Sequence, residues 1–406
     1  MRFPCELKPA PSIDPAVRQA AEPLAAAGHK AWLAGEELAA QWWAPATPGP
    51  VSHRLLTDAP LSAVLDCFPH AVVITPRAAV LPSTAGPIDI VTNQVLPDCL
   101  VELGFTLLAV AWDLANDTAI DPYGGLDDVR AGRLRWAGSC DLERDPLLAL
   151  RALRLVGELG VEPDADLVAS LGAASLPPRP PVRTRGRAEW IRLIGSAHAG
   201  RALELGTATG LTKTLAPSGD RTIGRWIDAL PPDIDLRLAV WLGPDGGAWL
   251  REWRFGVART KRILELACHH PMEDAAIPKR DASVGRLLKR LAPEARAQLF
   301  AAREAQLASG VVPDAVVTQA RAGMTALRSA IDRVEGNRRR AEVRSELALS
   351  GAQVMEVLGL GPGPQVGRAL RHLASLCETD PSRNDEPQLL AALAAWAAEP
   401  GNVPGT

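Results

Sequence analysis

The chain has 406 residues, of which 47% are hydrophobic, and its formal net charge at pH 7 is -3. This length exceeds what one ordinary hydrophobic core accommodates and indicates about two to four domains. The slight negative charge excludes a globally basic nucleic-acid binder, so any contact with RNA would depend on local cationic patches.

Neither an export signal nor a membrane span is visible in the sequence. No run approaches the ~18 consecutive apolar residues that cross a bilayer, and the N-terminus lacks the charged start and apolar centre of a secretory signal. We therefore predict a soluble, cytoplasmic protein without a membrane partner. The scattered cysteines include no C-x-x-C pair, which predicts free thiols and no zinc site. They are Cys5, Cys67, Cys99, Cys140, Cys268 and Cys377.

The N-terminal part predicts a mixed α/β unit of about 140 residues. After a proline-rich start, Asp14-Pro15 forms the favoured beginning of a helix, with the cap followed by proline in the first turn, and Gly28 ends that helix. Short apolar runs follow, separated by turn residues and by a helical stretch at residues 61–67. These runs predict strands at residues 30–34, 51–56, 71–75, 88–92 and 105–112.

Residues 120–160 form the most informative segment, with a turn, a short basic stretch and a long amphipathic helix. The apolar positions of this helix recur every three residues: Leu147, Leu150, Leu153 and Val156. Arginines lie on a different face: Arg144, Arg151 and Arg154. The pattern predicts one core face and one cationic face, and by itself such a face is typical of an ordinary solvated helix.

From residue 141 onward the apolar spacing is helical, which predicts an all-α remainder. Four prolines within residues 176–181 predict a linker or rigid elbow, because proline is not tolerated inside a helix. Helices are predicted at residues 188–194, 222–229, 235–242, 248–267, 284–291, 293–307 and 313–347. The sequence assigns no function to its eleven tryptophans.

Basic residues cluster in three places along this helical part, and each cluster is either an RNA-contacting patch or a solvated helix face. The first contains Arg179, Arg183, Arg185, Arg187 and Arg192. The second contains Arg251, Arg254, Arg259, Lys261 and Arg262. The third contains Arg333, Arg338, Arg339, Arg340 and Arg344.

Two segments carry a resemblance to a known family. The first comprises residues 121–128 (Asp-Pro-Tyr-Gly-Gly-Leu-Asp-Asp), 133–135 (Arg-Leu-Arg) and 144–147 (Arg-Asp-Pro-Leu), with Arg151 and Arg154. It resembles the end of the head and the start of the neck in class II tRNA nucleotidyltransferases, the CCA-adding enzymes and their bacterial poly(A) polymerase relatives. The second, residues 351–373, has a Gly-Pro-Gly-Pro turn between two helices and resembles the family's tail.

The resemblance implies an α+β chain with four parts. A nucleotidyltransferase-like α/β head would occupy residues 1–140. An all-α neck (141–215), body (216–345) and tail (346–406) would follow.

The metal-binding carboxylates of the family are missing from the corresponding positions of this sequence. Nucleotidyl transfer uses two divalent metals held by carboxylates. In the family these form Asp-x-Asp shortly before an Ala-Thr-x-Ala run, which is Leu-Thr-Asp-Ala at residues 56–59 here. Ser52 and Arg54 therefore stand at the aspartate positions, and arginine puts positive charge where a dication would lie.

Three further motifs are altered. The family's Gly-Gly-x-x-Arg-Asp turn, which approaches the triphosphate, corresponds to residues 34–39, Ala-Gly-Glu-Glu-Leu-Ala, with acid where phosphate would lie. Its Arg-Arg-Asp contact to ribose and phosphate corresponds to residues 102–104, Glu-Leu-Gly. Its base-reading Glu-Asp-x-x-Arg corresponds to residues 144–148, where only Asp145 keeps a matching polar group.

We therefore predict a diverged, catalytically inactive family member that still binds tRNA-like RNA and needs no cofactor. It has no predicted catalytic residue or metal ligand. Vestigial nucleotide-site residues implied by the resemblance are Asp145, Arg151 and Arg154, although these arginines could equally brace the head against the neck. Candidate RNA-binding residues are Arg183, Arg185, Arg187, Arg338, Arg339 and Arg340.

Two alternatives remain, so the sequence leaves enzyme status open. An active enzyme would add CCA or A residues to RNA 3′ ends with CTP or ATP and magnesium, held by displaced acids such as Asp58, Asp89 and Asp113. A protein-interaction partner of an active relative would instead use apolar, tryptophan-rich surfaces.

Overall fold

The computed structural model describes residues 11–42, 53–83, 86–92, 95–139, 142, 145–174, 180–216, 219–275, 281–399 and 402, without the side chains of 180–184, 214, 274–275 and 344–345. The chain divides into two compact units, residues 1–270 with 301–312 and residues 271–300 with 313–406. The four-part division at 140, 215 and 345 stays a prediction. Across the described ranges no helix is long and apolar enough to cross a membrane.

The first unit begins with a seven-stranded sheet and its helices. The helices are α1 (Pro15–Ala26), α2 (Glu36–Trp42), α3 (Leu61–Cys67), α4 (Leu96–Val101) and α5 (Gly125–Ala131). The strands are β1 (Ala31–Ala34), β2 (His53–Thr57), β3 (Val72–Thr75), β4 (Ala78–Leu81), β5 (Ile88–Thr92), β6 (Ala111–Asp113) and β7 (Thr118–Ile120). Their order is β3-β4-β5-β2-β1-β6-β7, and only β2 and β5 are paired in parallel.

The core of this sheet lies on the face covered by α1 and α3, where Leu33, Leu55 and Ile90 pack against Val17 and Leu24. Alternate residues of each strand therefore face this core, while the others face the opposite side. The predicted helical cap is confirmed, because the Asp14 side chain accepts a hydrogen bond from the Ala16 N–H at 2.8 Å.

The structure confirms four of the five predicted strand runs and shortens the fifth. Within residues 105–112 only the end is strand, because the chain turns after Phe105, which forms an isolated bridge to Trp136. Residues 51 and 52 lie outside the described part of the chain. The sequence missed β4 and β7, which have only four and three residues.

Helices dominate the remainder of the chain, as predicted. They are α6 (Leu147–Leu159), α7 (Ala165–Ala173), α8 (Pro180–Gly195), α9 (Ala199–Ala208), α10 (Leu211–Leu215), α11 (Ile234–Leu242), α12 (Gly247–Glu252), α13 (Val257–Ala267), α14 (Met272–Ala275), α15 (Asp281–Arg290), α16 (Pro293–Ala308), α17 (Asp314–Ser345), α18 (Gly351–Leu358), α19 (Pro364–Thr379) and α20 (Glu386–Ala397). One exception to the all-α prediction is a short parallel pairing of β8 (Arg133–Leu134) with β9 (Glu162–Pro163).

Two predicted helices are wrong in detail. Residues 222–229 form two short 3-10 turns, Ile223–Arg225 and Ile227–Ala229. The stretch 248–267 is divided between α12 and α13, because Arg254 (φ 57°) and Gly256 (φ 80°) adopt left-handed backbone conformations. Of the predicted elbow at residues 176–181, positions 176–179 lie outside the described residues and α8 begins at Pro180.

Tryptophan is mainly a core residue here, so the expectation of tryptophan-rich surfaces is wrong for the described residues. Buried tryptophans are Trp32, Trp112, Trp190, Trp226, Trp241, Trp249, Trp253 and Trp396. Four of them form a tryptophan cluster in the first unit, in which the Trp190 ring lies 5.1 Å from Trp241, 5.4 Å from Trp249 and 6.0 Å from Trp253. The described cysteines Cys67, Cys99, Cys268 and Cys377 are free thiols.

The second unit has its own apolar core, to which α18, α19 and α20 contribute Val354, Leu373 and Leu393. Its α18 begins with a capping box at Ser350 and ends at Gly359 in a left-handed conformation. Helix α19 then starts at Pro364. The predicted bend at residues 361–364 is therefore confirmed.

Candidate functional site

The turn at residues 121–126, part of the first segment that carries the resemblance, is held by hydrogen bonds within the chain. The carboxylate of Asp121 accepts hydrogen bonds from the backbone N–H groups of Gly125 (2.7 Å) and Leu126 (2.9 Å), at the start of α5. A Cβ atom at Gly125 would lie 2.1 Å from the Thr106 carbonyl oxygen, so only glycine fits. Asp121 and Gly125 therefore shape the backbone of this turn.

The second half of the same motif surrounds a fully buried carboxylate. Asp128 accepts hydrogen bonds from the Thr106 hydroxyl and from Arg135 Nε, both at 2.7 Å, and Arg133 lies 3.1 Å away. Two arginines therefore compensate one buried negative charge. This explains the Arg-Leu-Arg stretch as part of the scaffold.

On β2, Arg54 lies where the resemblance places the second metal-binding aspartate. Its register neighbours are Ala34 on β1 and Asp89 on β5, and paired residues of adjacent strands share a face of the sheet. A cation therefore stands next to Asp89, the remaining strand aspartate. Ser52, at the first aspartate position, lies outside the described residues.

The other acids suggested for a displaced metal site are engaged separately. Asp58 accepts a hydrogen bond from the backbone N–H of Lys30 at 2.8 Å, beyond the end of β2. Asp113, on β6, accepts hydrogen bonds from Ala115 and Asn116. Burial raises the pKa of Asp113, but the bonds from Asn116 and Ala115 outweigh it and lower the pKa. No group of three or more acid, histidine or cysteine side chains in the described ranges could hold a metal ion.

Two glutamates occupy the turn that follows β1. Gly35 (φ 93°) turns the chain, and Glu36 and Glu37 begin α2. Glu37 Oε2 lies 2.5 Å from Nδ1 of buried His53. Glu36 is ion-paired with Arg154 and, at 2.6 Å, with Arg192. Acid therefore fills the place where the family's turn approaches a triphosphate.

Arg154 is the centre of a network that we call the Glu36 cluster, formed by Glu36, Arg151, Arg154, Glu158, Glu189 and Arg192. The Arg154 side chain is fully buried. Its Nη1 donates to Glu158 and its Nε to Glu189, both at 2.5 Å, and its Nη2 donates to Glu36. Three arginines thus meet three glutamates, and the formal charges cancel.

The cluster shifts the titration of its central pair. Burial raises the pKa of Glu36, but the charges of Arg154 and Arg192 outweigh it and lower the pKa to about 2. Burial likewise lowers the pKa of Arg154, but Glu36, Glu189 and Glu158 raise it well above the ordinary value. Both groups remain charged at neutral pH.

The prediction of a cationic face on α6 is therefore wrong, because glutamates neutralise its described arginines. Arg151 Nε lies 3.3 Å from Glu189, and Arg154 is enclosed. Arg144 lies outside the described residues. The contact between Arg154 and Glu36 matches the alternative interpretation, because it joins α6 to the turn after β1. Arg151 instead pairs with Glu189 of α8.

Asp145 has a local role before α6, where its carboxylate accepts a hydrogen bond from the Leu147 N–H at 3.3 Å. Leu148, where the resemblance places a base-reading residue, packs onto Gly104, where the resemblance places a ribose contact. A Cβ atom at Gly104 would lie 2.7 Å from the Leu148 side chain. Glu102 pairs with Arg77 at 3.3 Å. Two altered motifs thus fit each other through apolar contact.

The candidate RNA-binding arginines differ in availability. Arg187 donates to the Arg254 carbonyl oxygen at 2.6 Å, and Arg338 pairs with Glu342 at 2.8 Å. Arg185, Arg339 and Arg340 are exposed, and no ion pair joins them to another described residue. The side chains of Arg183 and Arg344, and all of Arg179, lie outside the described set.

Sequence reasoning missed Glu158, Glu189 and Arg192 as members of the Glu36 cluster. The pairing of Glu158 with Arg154 could have been predicted, because Glu158 lies four residues after Arg154 on the same helix and such residues are neighbours on the helix surface. Glu189 and Arg192 come from α8, so only the fold brings them to Arg154.

No family model matches the chain. It is similar to curated relatives that include the CC-adding tRNA nucleotidyltransferase of Shouchella clausii, at 35% identity over 119 residues, which are 28% of this chain and 31% of that protein. The A-adding tRNA nucleotidyltransferase of Deinococcus radiodurans is 28% identical over 339 residues, covering 69% of this chain and 74% of its own. The CCA-adding enzyme of Geobacillus stearothermophilus is 28% identical over 300 residues, which are 70% of this chain and 68% of that protein.

Solved structures show the same fold. The Bacillus stearothermophilus CCA-adding enzyme in complex with CTP gives a TM-score of 0.57 at 21% identity and covers 94% of this chain and 98% of that chain. The Thermotoga maritima CCA-adding enzyme complexed with tRNA(CCA) gives a TM-score of 0.59 at 16% identity and covers 94% of this chain and 96% of that chain. The predicted α+β architecture, with a mixed sheet followed by helices, is confirmed.

Proposed function

Because this chain is a member of the CCA-adding tRNA nucleotidyltransferase family, we propose that it binds tRNA-like RNA without transferring nucleotides to it. It is thus a pseudoenzyme of tRNA processing, located in the cytoplasm. The Glu36 cluster is the observation that carries this proposal. The matched segment spans less than a third of the first relative's length, so activity and substrate are assigned here from the site itself.

The Glu36 cluster works against nucleotide binding in two ways. A triphosphate approaching the turn after β1 would meet the carboxylate of Glu36, and like charges repel. It would also need arginines that are already neutralised. Drawing Arg154 away would remove one of the two arginine partners of Glu158 and of Glu189 and leave the Glu36 cluster with an excess negative charge. Breaking one side of a buried ion pair costs about 3–5 kcal/mol.

The β2 position works against metal binding. Magnesium prefers oxygen ligands, mainly carboxylates, in near-octahedral geometry. Arg54 offers none and adds a positive charge beside Asp89. Residues present at this position do not fit the two metal ions that nucleotidyl transfer uses. We therefore assign no catalytic step to the chain.

RNA binding, unlike nucleotidyl transfer, does not require metal-binding carboxylates. Cations contacting phosphates supply most of the sequence-independent affinity for nucleic acid. Arg339 and Arg340 near the end of α17 are exposed, and so is Arg185 on α8. The complex of the Thermotoga maritima protein with tRNA(CCA) supports an RNA of the tRNA type as the ligand.

One assay tests the inactive assignment. The purified full-length chain is incubated with tRNA lacking its 3′ CCA, labelled CTP or ATP and magnesium, with the Geobacillus stearothermophilus relative as positive control. We expect no incorporation above the protein-free reaction. Incorporation at a rate near that of the control would show an active nucleotidyltransferase and overturn the proposal.

A gel shift with the same tRNA over a salt series tests the binding half. We expect a complex at low salt whose affinity falls linearly on logarithmic axes as salt rises. The absence of a complex at low salt, or an affinity that does not change with salt concentration, would contradict RNA binding through phosphate contacts.

A further inference from the structure

A groove of about 570 Å³ lies in the first unit between the end of α12 and one face of α13. Val257, Lys261 and Leu264 follow one another along that face, at the spacing of successive helical turns. The Val257 side chain is 89% exposed, an unusual state for a large apolar residue. The groove therefore offers apolar surface that this unit leaves uncovered.

The rim of the groove is cationic. Arg251, Arg254 and Lys261 line it, and none of its lining residues is acidic. No ion pair joins these three cations to a described acid. The groove thus combines exposed apolar surface with three uncompensated positive charges.

The neighbouring cations of the same basic stretch are neutralised instead. Arg259 Nε lies 2.6 Å from Asp235, and Arg262 lies 3.4 Å from Asp235 and 3.8 Å from Asp233. These pairs connect α13 to α11 and its cap. In the second basic cluster of the sequence, two arginines are therefore ion-paired, and the three cations of the groove rim have no ion pair to a described acid.

The rim is held in place before any ligand binds. Arg254 has a left-handed backbone (φ 57°), and its carbonyl oxygen accepts a hydrogen bond from Arg187 Nη1 at 2.6 Å. A fixed backbone reduces the ordering cost of binding. This contact explains why one member of the first basic cluster is not free, since Arg187 positions a groove residue.

We propose that this groove binds an acidic amphipathic segment of a partner protein, with an apolar side chain against Val257 and Leu264 and carboxylates at the cationic rim. Charge complementarity identifies the occupant as acidic, and the apolar surface requires an apolar side chain between the acids. RNA fits less well, because the phosphates of double-helical RNA could pair with the rim but would leave Val257 and Leu264 without an apolar partner. Single-stranded RNA would instead be held by stacking of its bases on aromatic rings. No lining residue of the groove is aromatic.

A display library of random peptides about 12 residues long, just over three helical turns, tests the groove without assuming a sequence. Selection uses the full-length chain, with counter-selection on the double variant Val257→Asp/Lys261→Glu. We expect the surviving peptides to combine acidic and apolar residues. Equal recovery of peptides on the double variant, or survivors without acidic residues, would overturn the proposal.

The best synthetic peptide is then titrated against single variants by isothermal calorimetry. We expect Val257→Asp and Lys261→Glu each to raise Kd by about tenfold or more, while Arg225→Glu, a charge reversal at an exposed arginine of the same unit, leaves it unchanged. Val257 is exposed, so its substitution leaves folding intact, which far-UV circular dichroism checks. If Lys261→Glu weakens tRNA binding and spares peptide binding, the groove is an RNA site and the proposal fails.

Discussion

Glu36 and Arg154 lie 118 positions apart in the chain and form an ion pair whose guanidinium is fully buried. The pair joins the turn after β1 to α6. Burial of a charge is tolerated only with close compensation, and Glu158 and Glu189 complete it. The turn after β1 is thus tied to α6 by ion pairs within the chain.

We predict that Arg154→Met lowers the free energy of unfolding by about 3 kcal/mol, because it removes the buried cation that three glutamates share and leaves them with two arginines. Urea unfolding followed by circular dichroism measures the loss. Arg225→Met, at an exposed arginine without an ion pair to described residues, is the matched control and should change stability by less than about 0.5 kcal/mol. Equal effects of the two substitutions would refute a structural role for the Glu36 cluster.

The low pKa of Glu36 predicts a specific acid sensitivity. The pKa is about 2 in the folded chain and 4.5 ordinarily, so its contribution is complete above about pH 4.5 and is lost as pH falls towards 2. Glu36→Gln should therefore reduce stability at pH 7 and flatten the loss of stability between pH 4.5 and 2. Urea midpoints across that range measure this. Glu356→Gln, at an exposed glutamate, should keep the wild-type profile, and an unchanged profile for Glu36→Gln would contradict the assignment.

The exposed arginines of α17 should contribute to tRNA binding. We expect Arg339→Ala/Arg340→Ala to weaken binding and to lower the salt slope by about 1 for each arginine that pairs with a phosphate in the wild-type complex. Arg333→Ala is the control, because that guanidinium is ion-paired with Asp281 at 2.9 Å. Gel shifts at several salt concentrations give both quantities. Equal weakening by the control would show that this end of α17 makes no specific contact.

Two glycines of the first unit should respond in opposite directions to alanine. At Gly125 the new Cβ would lie 2.1 Å from the Thr106 carbonyl oxygen, and we expect a loss of about 3 kcal/mol or more. At Gly172, inside α7, it would lie 3.5 Å from the nearest atom. There we expect a gain of about 0.5 kcal/mol from higher helix propensity. Thermal unfolding by circular dichroism compares them, and a tolerated Gly125→Ala would refute the tight turn.

Features set by neighbouring residues were predictable from the sequence. Asp14 before Pro15 gave the start of α1, and residues 361–364 gave the bend before α19. The resemblance also placed acid in the turn after β1, where Glu36 lies.

Features that depend on distant residues were not predictable. Nothing near Arg154 indicates that it is buried, because Glu36 and Glu189 approach it only in the folded chain. The break between α12 and α13 depends on two residues with left-handed backbones, Arg254 and Gly256. Arg254 carries no sequence signal for that conformation, whereas Gly256 is a signal that the helix prediction did not use. Strand β7 has three residues, too few for an alternating pattern.

The tryptophan cluster has an optical consequence. Every tryptophan except Trp396 falls within the residue range of the first unit, as does the single tyrosine, Tyr123. Intrinsic fluorescence therefore reports almost entirely on that unit, and excitation transfers readily between rings whose centres are 5.1 to 6.0 Å apart. Replacing Trp396 by phenylalanine would remove tryptophan fluorescence from the second unit. Tryptophan emission would then report the unfolding of the first unit alone, while circular dichroism would report the unfolding of both.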